Sequence, residues 1–351
     1  MGDPGGAAAG SGGAVQRSAA DGRARRATVQ PGGGTDLDAQ RSVWQLGADP
    51  ADPPDEFVAP DQTASGSPAA AVPMISRSRT RHRPRVLDEV AGQVRFERGS
   101  VAEFGSPQRA AVLVHWARTP VLSRSVTTLA GELARAGYRL VLVSACESPQ
   151  PLNWRGTCPP DATVLRKPNA GYDFGSWAVA LNELPAITQA ERVILTNDSM
   201  AGPFAPLAGV LAQFEHCSAD VFGLTDTRQY FRHLQSYFVG FTDGLLGEAP
   251  LAAFFADIRL EDTKWDVINR YELGLNRLFR REGYGYTAGF RADDVVPAGD
   301  NPVIRGWWRL LERGFPFVKR EILRDPDVAP RADWVSREVA AVFGQRIEEW
   351  V

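Results

Sequence analysis

The chain has 351 residues, 44% of them apolar, with a formal net charge of -3. That is enough apolar material for one large domain or two ordinary ones, and too little basic excess for a nucleic-acid binder, whose partners are met by strong positive charge. Cys146, Cys158 and Cys217 are odd in number, widely spaced and without zinc-ligand spacing, so the expectation is a reducing, cytoplasmic compartment rather than a disulfide scaffold.

Residues 1–84 read as a disordered tail, rich in Gly, Ala, Pro and Arg and nearly free of aromatics, unable to bury the surface that offsets ordering entropy. The start lacks the basic and apolar regions of an export leader, and no run of about eighteen apolar residues offers a membrane span. Toward the end of the tail Arg77, Arg79, Arg81, Arg83 and Arg85 alternate. They form either a solvated linker or a basic stretch drawn to anionic lipid, which would place the protein peripherally at the inner face of the membrane.

From Val86 the texture changes. "AAVLVHW" (Ala110–Trp116) predicts a buried strand, "VTTLAGELARAGY" (Val126–Tyr138) a helix closed at Gly137, and "RLVLVSA" (Arg139–Ala145) a second strand. "ATVLRKP" (Ala162–Pro168) and "RVILTND" (Arg192–Asp198) repeat the strand signature around a helical "FGSWAVALNEL" (Phe174–Leu184). Alternation of this kind predicts an α/β fold, a Rossmann-like, mostly parallel sheet flanked by helices, with ligands beyond the carboxyl ends of the strands. The residues that close each run are therefore the candidates.

After the strand ending at Pro168 come Asn169, Gly171, Asp173 and Gly175 at alternate positions before a helix. They read as a turn and N-cap, or as a ligand loop in which glycines admit a close approach and free N–H groups favour an anion. The spacing is neither GxGxxG nor a P-loop. The next strand closes on Asn197, Asp198 and Ser199. Asp198 can hold a divalent cation through oxygen, with its neighbours supplying hydrogen bonds, or it can cap a turn.

Further on, "ADVFGLTDT" (Ala219–Thr227) predicts a strand ending on Asp226, and "HLQSYFVGF" (His233–Phe241) another, with His233 and Gln235 on one face, placed to bind a sugar or pyrophosphate. Trp265–Gly285 predicts one amphipathic helix closed by Gly283. Glu272 stands at the edge of its apolar stripe, where partial desolvation would raise a carboxyl toward the range of a general base; a surface pairing with Arg270 or Asn276 is the plainer alternative. Asn301–Asp325 combines Trp307, Trp308, Phe315 and Phe317 with cations and reads as a packing helix, with Lys319 and Arg320 as candidate phosphate contacts. The final residues, through "FGQRIEEWV", read as a short closing helix.

The strings "NAGYDFGSW", "LTNDSMAGPF", "DVFGLTDT", "HLQSYFVGF", "RYELGL" and "GFPFVKREIL", in that order, resemble the rhamnan synthesis protein F family over roughly residues 85–330. The resemblance implies a GT-A-like glycosyltransferase domain over 85–330, a helical extension over 331–351, and a nucleotide-sugar donor such as deoxythymidine-diphosphate rhamnose. A polysaccharide or lipid-linked saccharide would be the acceptor. It also implies that Asn197–Ser199 occupy the DxD position, with one acid in place of two, so that a Mg2+ or Mn2+ ion at Asp198 is left open. By the same resemblance Glu272 would be the base of an inverting transfer, with Asp226 and Asp266 in reserve. Asn169, Gly171, Asp173, Asn197, Asp198, Ser199, His233 and Gln235 would then hold the donor. Two other readings remain: a non-catalytic carbohydrate-binding or scaffolding component of a polysaccharide assembly complex, and a phosphoryl-transfer enzyme, which needs a second carboxylate beside Asp198.

Overall fold

The computed structural model describes Met1, Gly2 and residues 83–351. The expected tail, with Arg77, Arg79 and Arg81, lies outside the described residues except for its first two and last two. Arg83 is held by Glu261 and Asp262, and Arg85 by Asp257 at 3.0 Å. Glu261 is buried and also takes Arg270 at 3.1 Å, so these arginines fasten the chain to the domain.

Eleven strands order the rest: β1 (Arg95–Arg98), β2 (Arg109–His115), β3 (Arg139–Ser144), β4 (Thr163–Arg166), β5 (Arg192–Asn197), β6 (Met200–Ala201), β7 (Val221–Thr227), β8 (His233–Leu234), β9 (Phe238–Thr242), β10 (Tyr286–Phe290) and β11 (Val318–Lys319). One nine-stranded sheet runs β1-β4-β3-β2-β5-β9-β7-β10, with β8 paired to β7; β6 and β11 form a separate two-stranded ladder. Pairing is parallel through β4, β3, β2 and β5 and again between β7 and β10, while β1, β8 and β9 run the other way. The α/β class and the mixed, mostly parallel sheet follow the sequence pattern.

Both faces of the sheet are covered, which is why its strands read as unbroken apolar runs. Along β2, Ala110, Val112 and Val114 enter one core and Ala111 and Leu113 the other. The first core is roofed by helices Tyr172–Glu183 and Leu273–Glu282, the second by Arg124–Arg135 and Ala208–His216. A third cluster joins Ala201 and Phe204 to Trp307, Leu311, Val335, Val339 and Trp350, so residues 331–351 pack with segments well upstream.

Three expected elements differ. His233–Phe241 is two strands, β8 and β9, broken at Gln235–Tyr237. Asn301–Asp325 is three short helices and β11, because Gly306 and Gly314 interrupt it. The helix over 265–285 holds a π turn at Ile268–Glu272 between α-helical Lys264–Val267 and Leu273–Glu282; Gly283 closes it in the left-handed region, as expected. The last helix is Val335–Phe343, followed by a single turn at Ile347–Glu349. Among the described residues no helix is long and apolar enough to cross a membrane.

Candidate functional site

The order β4-β3-β2 and then β2-β5 on the other side makes the carboxyl ends of β2 and β5 a topological switch point, where open α/β sheets leave a crevice. A cleft of about 740 Å³ opens there. Trp116 follows β2 and Asn197–Ser199 close β5. Asp173 comes from the first turn of helix Tyr172–Glu183, and the broken β8–β9 segment supplies His233, Gln235 and Ser236. Glu272 enters from the π turn and Lys319 from β11.

Asp173 and Asp198 form the polar floor. Asn197 donates its side-chain amide to Asp173 Oδ2 at 2.7 Å, and the Trp116 amide donates to Asp198 Oδ2 at 3.1 Å. Burial pushes the Asp173 carboxyl up, and the Asp198 charge pushes it further; Lys319 and Asn197 oppose, and it settles at about 6. Asp198 is also raised by burial, against the Trp116 amide and Arg320. The sequence presents one acid at the tip of β5; the fold brings a second to it from the loop after β4.

That loop is set by its own backbone. Lys167, buried, donates to the carbonyls of Pro168 and Ala170, each at 2.7 Å. Gly171 sits at φ 80°, and a Cβ there would lie 2.4 Å from a Val86 methyl; one on Gly175 would lie 3.0 Å from the same side chain. The missing side chains therefore make room for Val86, where the expectation for Gly171 was a ligand. Asn169 is exposed, and neither residue lines the cleft. Tyr172 follows in a left-handed conformation, φ 53°, a strained geometry for a residue with a Cβ. The residue is 46% exposed and borders the cleft, as does Trp116 at 40%.

Elsewhere in the cleft lining, Glu272 Oε2 accepts the Ser236 amide at 2.8 Å and the Ser236 hydroxyl. His233 Nε2 stands 3.8 Å from Oε1. Burial raises this carboxyl, but His233 and Ser236 together outweigh it, and the net shift is downward, contrary to the raised value expected from position on the helix. Arg270 turns to Glu261 and the Asn276 side chain bonds the Glu272 and Leu234 carbonyls, so neither neutralises it. Gln235 faces Thr225 Oγ1 at 2.7 Å and Asn301 at 3.2 Å.

Asp226 is corrected as a catalytic candidate. Its Oδ2 pairs with Arg232 at 3.1 Å, its Oδ1 accepts the Ala292 amide at 2.6 Å, and it does not line the cleft. Asp266 is held at the start of its helix by Thr263, whose hydroxyl donates to Asp266 Oδ2 at 2.8 Å and accepts the Asp266 amide at 3.1 Å.

Lys319 borders the cleft, with the Ser199 hydroxyl 3.4 Å away and its ammonium 5.7 Å from the Tyr237 ring centroid. Burial lowers its pKa, while Glu272 works in the other direction. Arg320 borders the cleft too, but its guanidinium is spent on Ser123 at 2.9 Å and the Trp350 carbonyl at 3.2 Å. Of the two candidate phosphate contacts, Arg320 is the more fully engaged by the protein itself. Trp116, Tyr172, Ser236 and Asn301 were not anticipated; the one readable signal was the pair of aromatics directly beside strand-closing polar residues.

The protein-family model described as rhamnan synthesis protein F matches residues 161–342. The chain is similar to the virulence protein VirA of Vibrio anguillarum, with 32% identity, 46% of this chain and 62% of that protein covered. It is also similar to the uncharacterized protein y4gN of Sinorhizobium fredii, with 24% identity, 42% of this chain and 40% of that protein covered. The chain therefore spans about three-fifths of the length of the first of these relatives and two-fifths of the second.

Proposed function

Because the chain belongs to the rhamnan synthesis protein F family, with the role in polysaccharide synthesis that this name carries, we propose that it is a glycosyltransferase. In this reading it moves a sugar, rhamnose foremost, from a nucleoside-diphosphate donor to a cell-surface polysaccharide or lipid-linked acceptor. One observation carries the reading: a single cleft at the switch point of the sheet is lined by Asp173, Asp198, Lys319 and Glu272 together.

The donor's diphosphate lies at the floor, where Lys319 and the Ser199 hydroxyl meet phosphate oxygens. Asp173 and Asp198 repel one another, and a pair of hard carboxylate oxygens suits Mg2+ or Mn2+, which take one or two carboxylates together with substrate phosphates. Bound there, such an ion would offset the charge growing on the leaving diphosphate. The Asp173–Asp198 pair also supplies the second carboxylate that a phosphoryl-transfer enzyme needs, so turnover of a nucleoside-diphosphate sugar, with transfer of the sugar, is what separates the two readings. Trp116 and Tyr172 offer faces for the flat parts of the ligand. Glu272, fixed by Ser236, faces the acceptor, and rate enhancement comes from positioning and from opposing the departing charge.

A thermal-shift screen of the full chain against nucleoside-diphosphate sugars, with and without Mg2+ or Mn2+, tests the reading. One donor should raise the melting temperature selectively, more so with the cation, and Asp198→Ala should abolish the gain. No shift with any donor, or an undiminished shift in the variant, overturns it.

A further inference from the structure

His233 has its protonation pattern set by the backbone. Nδ1 lies 2.7 Å from the Phe231 carbonyl oxygen. A carbonyl only accepts, so Nδ1 carries the proton, and in the neutral ring the lone pair is at Nε2. In that neutral form the lone pair stands 3.8 Å from Glu272 Oε1, just beyond hydrogen-bond reach, so a proton arriving on the carboxylate is what would draw the two together.

Neither group can turn away. Ser236 binds the other carboxylate oxygen twice. Asn276 takes both the amide and the carbonyl of Leu234, at 2.8 and 3.1 Å, and so pins β8. Rings of Tyr230 and Phe231 flank the imidazole, with centroids 6.4 and 5.3 Å away. The imidazole is 2% exposed and the carboxylate 18%, so Glu272 meets the cleft and His233 stands behind it.

We propose that Glu272 and His233 form a proton relay, Glu272 Oε1 receiving the proton of the acceptor hydroxyl and His233 Nε2 taking it on. This rests on the sugar-transfer reading. The hydroxyl oxygen forms its bond to the anomeric carbon, the bond from that carbon to the diphosphate oxygen breaks, and its electron pair leaves with the nucleotide. The proton ends on the imidazole, giving an imidazolium beside a carboxylate. A carboxylate that accepts two hydrogen bonds from Ser236 is a weak base alone, and Nε2 offers the proton a second acceptor. Glu272 is the catalytic residue and His233 a positioning residue that acts through it.

The test uses the full chain, a panel of nucleoside-diphosphate sugars, release of nucleoside diphosphate to water or acceptor, and donor affinity by calorimetry. His233→Asn keeps a donor toward the Phe231 carbonyl but has no basic nitrogen. It should bind donor within about threefold of wild type and turn over roughly 100-fold or more slowly, with imidazole restoring part of the rate in proportion to the basicity of the imidazole added. Turnover equal to wild type, or donor affinity lost in step with turnover, overturns the relay while leaving the sugar-transfer reading intact. A wild-type chain that binds and cleaves no donor overturns that reading and the relay with it. Nitrogen-15 spectra of the wild-type imidazole give a check that needs no variant: the Nδ1–H form is expected, and an Nε2–H ring overturns the proposal.

Discussion

Replacing Gly171 with Ala separates a packing role from a ligand role. The backbone there is left-handed, which costs a residue with a Cβ about 1–2 kcal/mol. The added methyl would also lie 2.4 Å from Val86 Cγ2. Val86 is fully buried in the first core, so the overlap can be relieved only by moving packed atoms, at about 1–3 kcal/mol. The sum, about 2–5 kcal/mol, corresponds to a fall in melting temperature on the order of 5–15 °C for a domain of this size. Urea unfolding of wild type, Gly171→Ala, Val86→Ala and the double variant gives the cycle. Val86→Ala alone removes two methyl groups and should cost about 2–3 kcal/mol. In the double variant the overlap vanishes but the backbone penalty stays, so the two changes should couple favourably by about 1–3 kcal/mol. Absent coupling, or a Gly171→Ala protein as stable as wild type with weakened donor binding, would refute the packing argument and return the glycine to the ligand.

Asp173→Asn keeps the acceptor for Asn197 and removes the charge that Asp198 repels. The folded carboxyl has its pKa raised, to about 6, so the fold favours the protonated form, and wild-type stability drawn from this group is lost as pH rises from about 4 to about 6. The variant should therefore melt above wild type at pH 7.5, with an advantage that disappears toward pH 4, while donor binding in the presence of Mg2+ weakens by roughly tenfold or more; a variant less stable at neutral pH would contradict the assignment. Asp226→Asn should cost about 1–3 kcal/mol in urea unfolding, because it weakens the charge-assisted bonds that Asp226 makes with Arg232 and the Ala292 amide, and should leave the turnover of the folded fraction within about threefold of wild type. Lost turnover at undiminished stability would restore Asp226 to the reaction.

The strand periods, the helix closed at Gly283 and the sheet's polar closing residues were legible because they are local: they depend on alternation, on length and on which residue tolerates a left-handed turn. Asp198 could be placed at a strand tip, and Asp173 in the loop and helix start that follow one, for the same reason. What the local pattern did not carry was direction. Asp226 closes a strand just as Asp198 does, yet the Ala292 amide and Arg232, from distant and nearby segments respectively, draw it inward. Gly171 looked like a ligand turn because its partner, Val86, stands far upstream. Glu272 was found on the helix, but its electrostatics come from Ser236 and His233 on another element, and no helical-wheel argument contains them.

The π turn at Ile268–Glu272 is in effect one extra residue wound into a helix that is otherwise regular on both sides. Each residue of an α-helix advances the azimuth by about 100°. Loss of a single codon here would let the helix run straight on, keep Leu275, Leu278 and Phe279 as its anchor, and swing everything before the deletion around the axis. Kinship across this stretch is therefore better judged by length than by letter: a relative one residue shorter has rewired its chemistry even if the neighbouring residues are unchanged.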